Sequence, residues 1–208
     1  MTVEIVALRA HGCDEVAVTF EIRNGEDLQR ERSILSASDF ADLRLSKGIV
    51  SEDCMDAVLA ASERYAARKR ALHMLTYGRC SERRLAQKLR AKGVESSVAN
   101  ETAALLSSEG YLDGAEDALR EAQRDLLKLW GERRIVADLR AKGYESESIC
   151  DAVAALREET DFSEICAERV RRSFGGFSED PRERKKQIAS LERAGFSFSD
   201  IRRAAELL

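Results

Sequence analysis

A chain of 208 residues that is 44% hydrophobic can bury a sizeable core, while a net charge of −4 with only 6% aromatic residues argues against a protein that coats nucleic acid or stacks on its bases. Neither a basic leader nor a membrane-length apolar run occurs, and no two of the five cysteines stand at a metal-ligand spacing, so the expectation is a cytoplasmic protein whose thiols are unpaired and buried or partly buried. With a single proline, most of the chain should be helical.

The N-terminal stretch reads differently from the rest. Val16, Val18, Phe20 and Ile22 alternate with Ala17, Thr19 and Glu21, the period of a half-buried strand. Asn24-Gly25 follows, which predicts a type I′ hairpin turn with positive φ at both central positions, and a returning strand over 26–35. The β-branched residues 3–8 should add a third strand, so residues 1–36 form a small antiparallel sheet. Ser38 is expected to cap a short helix running to Leu45 and ended by Lys47-Gly48. Ser51 then caps a long helix to about Tyr77, with Val58, Ala61, Tyr65, Leu72 and Leu75 facing inward and Arg64, Arg68, Lys69 and Arg70 outward. These are the linking helices of a 37–78 segment.

From here the chain repeats itself. ERRLAQKLRAKGVES (residues 82–96) returns as ERRIVADLRAKGYES (132–146), identical at 10 of 15 positions, and a self-match at a fixed offset marks a repeat architecture. In the first copy Ser81 caps a helix with Leu85 and Leu89 inside and Gly93 as its stop. Ser96 opens a second with Val98, Thr102 and Leu105 on one stripe, and Asp113 with Glu116 forms a capping box for a third lined by Leu119, Ala122, Leu126 and Leu129. In the second copy Gly131 stands at the cap, Ile135 and Leu139 point inward, Gly143 is the stop, and Ile149, Val153 and Leu156 line the next helix. Phe162 and Ser163 take the places of Leu112 and Asp113, and a helix to about Phe174 follows. Gly175-Gly176 and Pro181 mark a looser connection, after which Gly195 aligns with Gly143, and Ile201 and Ala204 lie on the last helix. The reading is therefore mainly α: three-helix repeats over 79–130 and 131–177 and a truncated third over 178–208, stacked as an elongated array behind the small N-terminal sheet.

No GxSxG, HExxH, Walker A or GxGxxG motif occurs, and neither His11 nor His73 has a partner at metal-ligand spacing, so no catalytic residue, metal site or cofactor is expected. Charge is the stronger signal. Residues 64–99 hold 10 Lys/Arg against 2 Asp/Glu, whereas 143–168 hold 1 against 8, and basic charge collects on the first helix of each unit. Those residues are Arg83, Arg84, Lys88, Arg90 and Lys92; then Arg133, Arg134, Arg140 and Lys142; then Arg184, Lys185, Lys186 and Arg193. Each alone reads as part of a solvated face. Recurrence in successive units points to a row of positive charge suited to an acidic protein groove or to phosphates. Gly93, Gly143 and Gly195 read as helix stops.

Taken in order, ALHMLTYGRCSERRLAQKLRAKGV, LLSSEGYLD, WGERRIVADLRAKGY and AGFSFSDI resemble the RecX family of recombination regulators, and the hairpin with ILSASDFADLRLSKGIVSED resembles the leader of its longer members. The resemblance covers nearly the whole chain. It departs at Gly114 and Asp117, where the family has a second Asp and an aromatic before Ala118, and at Arg193-Ala194-Gly195-Phe196, one basic residue short of the family's RRGF. What it implies is a non-enzymatic regulator of DNA recombination, repair and the SOS response, a monomer that lodges along the RecA filament on DNA and limits its extension, ATPase and strand exchange, with weak direct DNA contact as an accompaniment. A helical regulator that binds DNA directly and a general helical-repeat scaffold remain open as alternatives.

Overall fold

The alternating stretch folds as β2 (Glu15–Asn24) and β3 (Asp27–Ser36) in a computed structural model describing residues 1–208. Their register pairs Asn24 with Asp27, which makes Gly25 and Glu26 the loop centre, and only Gly25 has positive φ (65°). The turn thus needs a glycine at its first central position alone, the II′ pattern, and not the I′ turn centred on Asn24-Gly25. β1 (Thr2–Ala10) pairs with β2, and the short β4 (Gly48–Val50) pairs with the outer side of β1, giving the antiparallel order β3-β2-β1-β4.

Gly48 therefore opens a strand, at φ 127°, and does not stop a helix. The helix before it, α1 (Ala37–Asp42), is capped by Ser36, whose Oγ accepts from the Asp39 N–H at 3.0 Å, and not by Ser38. It stops short of Leu45, since Arg44 turns the chain out at φ 48°. α2 (Glu52–Thr76) starts at Ser51 and lays Val58 and Ala61 on Val3, Ile5, Val18, Phe20 and Leu35. Further along it buries Ala67 and Ala71, while Tyr65, Leu72 and Leu75 are only half-buried. The Tyr65 hydroxyl and the Lys69 ammonium both donate to Glu15, at 2.9 and 2.5 Å, tying α2 to the start of β2.

The remaining elements are α3 (Glu82–Ala91), α4 (Ser96–Ser108), α5 (Gly114–Leu127), α6 (Glu132–Ala141), α7 (Ser146–Glu159), α8 (Phe162–Phe174), α9 (Pro181–Arg193) and α10 (Phe198–Glu206). The chain divides into two compact units, Met1–Gly78 with Lys88–Thr102, and Arg79–Gln87 with Ala103–Leu208. After α3, α6 and α9 the chain leaves by one device. Gly93, Gly143 and Gly195 take φ of 85°, 80° and 94°, and the next N–H reaches back to Leu89, Leu139 and Leu191 respectively, satisfying carbonyls that the helix end would leave bare.

Packing shifts some of the expected faces. α4 buries Ala99, Thr102, Ala103 and Leu106, one position on from the Val98–Thr102–Leu105 stripe, and leaves Leu105 46% exposed. On α5 the fully inward positions are Asp117, Ala118, Ala122 and Asp125, with Leu119 and Leu126 flanking them and Leu129 beyond the helix end at φ 56°. Asp113 caps α5 as anticipated from its sequence, but the reciprocal bond to its own N–H comes from Asp117 at 3.2 Å, not Glu116. α8 is capped by Asp161, two residues ahead of Ser163, which is itself buried.

The frame of the repeat also moves. One core joins Ala118 and Ala122 of α5, Ile135 and Leu139 of α6, and Ile149, Val153 and Leu156 of α7. A second joins Cys166 and Val170 of α8, Leu191 and Phe196 around α9, and Ile201 and Ala204 of α10. The ERR…KG helix α6, like α9 in the second core, is thus the middle of its packed trio, and boundaries at 131 and 178 would cut through cores. Counted this way the last unit, α8–α10, is complete and not truncated. The cysteines form no disulfide; Cys80 and Cys166 are buried but Cys13 and Cys150 are exposed, contrary to the expectation that all would be at least partly covered. No helix is long and apolar enough to cross a membrane.

Candidate partner-binding surface

A helix N-terminus has N–H groups with no partner in the helix, and a side-chain oxygen at the cap normally serves one of them. α6 begins at Gly131, which has no side chain to offer. Its donors are met instead by the end of α9: Gly131 N–H donates to the Ala194 carbonyl at 2.8 Å and Arg133 N–H to the Gly195 carbonyl at 3.1 Å. The approach leaves no room for a side chain on either partner, because a Cβ on Gly131 would lie 2.3 Å from the Gly195 carbonyl carbon and one on Gly195 would lie 2.4 Å from the Arg134 nitrogen. A looser version recurs at the start of α3. Ser81 Oγ accepts from the Arg84 N–H at 3.2 Å and donates to the Lys142 carbonyl at 2.6 Å, while the Arg83 side chain packs over Gly143. The negative end of α9 meets the positive end of α6, and that of α6 meets the start of α3, so the dipoles align head to tail.

This order makes the basic residues on α9, α6 and the start of α3 neighbours in sequence of helices, and it sorts them by what their side chains do. Arg84, Arg133, Arg140 and Lys185 are exposed, and no acidic side chain pairs with them. Arg193 is exposed with its guanidinium on the Ala189 carbonyl, Lys186 pairs with Glu183 at 2.7 Å, and Arg184 lies over the Phe177 ring. Arg134 stacks on Trp130, 4.0 Å from the ring centroid, with Lys128 at 4.6 Å from the same ring. Lys88, Arg90 and Lys92 belong to the other compact unit. There Arg90 bonds the Asn100 side chain at 3.0 Å, and Arg70 donates to the Lys92 carbonyl at 3.2 Å, closing the end of α3.

Lys142 is different. Its ammonium contacts Asp138 one turn back and Glu121 at 2.5 Å, and lies 4.0 Å from Asp125, a carboxylate with no exposed area. Burial pushes the Asp125 carboxyl above its ordinary range, and Asp138 raises it further. For Asp138 burial acts in the same direction, but the Lys142 ammonium and the bond with Asp125 outweigh it and hold that group low. Lys142 itself is raised: burial opposes its charge, and Asp138 and Glu121 more than compensate. The side chain is the cation of an internal acidic nest. Its i,i+4 spacing from Asp138 was visible in the sequence; Glu121 and Asp125, brought in from α5, were not. Arg169 on α8 was likewise unforeseen, and its guanidinium closes the end of α5 on the Leu129 carbonyl at 2.9 Å.

Comparison with known proteins bears on what such an array does. A family model described as "RecX, first three-helix domain" matches residues 67–104, that is, the end of α2 with α3 and most of α4, the same framing that puts the ERR…KG helix in the middle. The regulatory protein RecX of Stenotrophomonas maltophilia (strain R551-3) is 33% identical over 137 residues, covering 65% of this chain and 83% of that one. A crystal structure of regulatory protein RecX superposes with a TM-score of 0.74 over 98% of this chain and 99% of its own, and RecX from Lactobacillus salivarius with 0.58 over 71% and 99%, each at 21% identity, which supports the fold. The chain belongs to the RecX family of regulatory proteins.

Proposed function

We propose that this protein binds the RecA recombinase filament on DNA and inhibits its extension, ATPase and strand exchange, working in the cytoplasm as a monomer. The observation that carries the reading is the head-to-tail succession of α9, α6 and the start of α3, each bringing exposed cations that no carboxylate of the chain neutralises. Successive weak contacts along a repeating partner multiply, because once one is made the next is intramolecular. A filament is such a partner. Inhibition follows from occupying several protomers at once and needs no catalytic group.

The test reverses charge at Arg84, Arg133 and Arg140, whose side chains do not support the fold, and leaves Arg83, Arg134 and Lys142 intact. With melting temperature within about 2 °C of the parent (under about 1 kcal/mol for a chain of this size), the triple variant should need at least tenfold more protein to halve RecA strand exchange. Full potency would remove the exposed cations from the interface and leave them as a solvated face.

A further inference from the structure

The N-terminal sheet has two faces, and only one is used by α1 and α2. The core face carries Val3, Ile5, Val18, Phe20 and Leu35. Register places Ala7 and Arg32 beside Thr19, Arg9 beside Ala17, and Arg30 beside Glu21 on the opposite face, which Arg23 continues. Of the six basic residues in the first 63, four fall here, Arg9, Arg23, Arg30 and Arg32, and all are exposed. The segment's net acidity, with 13 Asp/Glu over the same residues, conceals this. On this face Glu21 is shared by Arg30 (2.6 Å) and Arg23 (3.5 Å), both of which hold its carboxyl below the ordinary value, and Glu4 stands opposite it. Arg9 has no carboxylate partner, and Arg32 touches only His11 Nδ1 at 3.4 Å.

Three of the guanidinium groups, those of Arg9, Arg30 and Arg32, ring a depression of about 390 Å³ floored by Val6, Ala7, Ala17 and Thr19. Small floor residues leave the long side chains standing above the sheet. Successive arginines occupy successive levels of the pleat, two residues or about 6.8 Å apart, so the four form a ladder about 20 Å long. We propose that this open sheet face is a second binding surface, and that it takes the phosphodiester backbone of a nucleic-acid strand. Forked cations stepped along three neighbouring strands of one open face fit an extended polyanion. The Arg9–Arg30–Arg32 end offers no aromatic side chain, the platform that base stacking would need, and its one large aliphatic side chain beside them, Ile34, is half-buried and a poor anchor for a protein partner. Leu28 and Ile49 are exposed at the far end, level with Arg23 and Glu21. Contact is therefore to phosphates and independent of sequence.

The experiment uses the full chain without any partner protein, so its result is separate from that of the RecA assay. Anisotropy of a fluorescein-labelled single-stranded oligonucleotide is measured at two salt concentrations for the parent, for Arg9→Glu/Arg32→Glu, and for Arg44→Glu/Lys47→Glu, which changes net charge equally but lies off the face. The first variant should bind about tenfold more weakly and lose about 1.4 from the log–log salt slope, two single-strand phosphate contacts at about 0.7 each. The second should change affinity less than twofold, and Thr19→Lys, adding a cation mid-ladder, should tighten binding. Equal weakening by both double variants, or no loss in the first, overturns the proposal. So does competition by poly-glutamate that the first variant abolishes while oligonucleotide binding persists, which would assign the face to an acidic protein.

Discussion

Gly131→Ala is expected to destabilise the protein by about 3 kcal/mol, at the upper end of the cost of forcing atoms into a packed site. Over a chain of this size that is a fall of roughly 6–12 °C in melting temperature. Gly131 has φ −79°, which alanine adopts freely, so the whole effect comes from the new methyl meeting the Gly195 backbone at 2.3 Å. Two companions separate the causes. Gly93→Ala places a Cβ in open space at φ 85° and isolates the left-handed backbone cost, about 1–2 kcal/mol. Gly195→Ala combines φ 94° with overlap on Arg134 and should be the worst of the three. Denaturant melts followed by circular dichroism give the order; a Gly131→Ala protein as stable as Gly93→Ala would mean that α9 does not abut α6 so closely, and the continuity of the basic helices would go with it.

The repeat and its glycines were legible in the sequence, though the contact between Gly131 and Gly195 was not. The match of residues 82–96 with 132–146 marks the repeat, and Gly93, Gly143 and Gly195 each sit just past a helix end at a position where φ must be positive, as sequence logic gives, although Gly48 after Lys47 does not. The frame was not legible. Ser81 and Gly131 look like the openings of units because a cap is a local signal, whereas the packed trio α5–α6–α7 is defined by which apolar faces meet, and no periodicity states that. The absent side chain at Gly131 was the available hint: a cap without an oxygen must be served from elsewhere. The α4 stripe slipped by one position for a related reason. The doubled Ala103-Ala104 and Leu105-Leu106 support two neighbouring phases, and tertiary packing chose the one with Ala99 and Leu106 inside. Among the basic residues the sequence could count charges but not their partners, so Lys142, held by three carboxylates, and Arg134, stacked on Trp130, were grouped with the open Arg133 and Arg140. On the sheet the opposite error arose, since summing over 63 residues concealed four arginines, and strand alternation alone would have sent Arg9 to the core side with Val3 and Ile5 had the bulge after Ile5 not turned it over.

Lys142→Met separates the two roles that a cation on α6 can have. A side chain that only contacts a partner can be lost at no cost to the fold; this one leaves Glu121, Asp125 and Asp138 facing each other with Lys128 as the remaining cation, bonded to Asp125 at 2.7 Å. Removing one member of a buried pair costs about 3–5 kcal/mol, and partial exposure of Lys142 and Asp138 brings the expected loss near neutral pH down to about 2–3 kcal/mol. The pH dependence has a definite sign. In the parent, Asp138 is depressed, so its contribution is present above the ordinary carboxylate value and is lost as pH falls through its lowered one. Lys142 is raised, so its share persists below its ordinary value and disappears only as pH climbs through the raised one. Asp125 is raised, so it favours the folded state most when protonated and weakens it as pH rises through its elevated value. Without the ammonium the Asp125 and Asp138 carboxyls move upward, and the variant should regain stability on acidification from neutral toward the ordinary carboxylate range, where the parent begins to lose the Asp138 contribution. The gap between the two melting curves should therefore close with falling pH, and Asp125→Asn in the Lys142→Met background should recover about half of the loss at pH 7. A constant gap across that range would show that Lys142 does not serve these carboxylates, and an unchanged melting temperature with impaired regulation would return it to the binding surface.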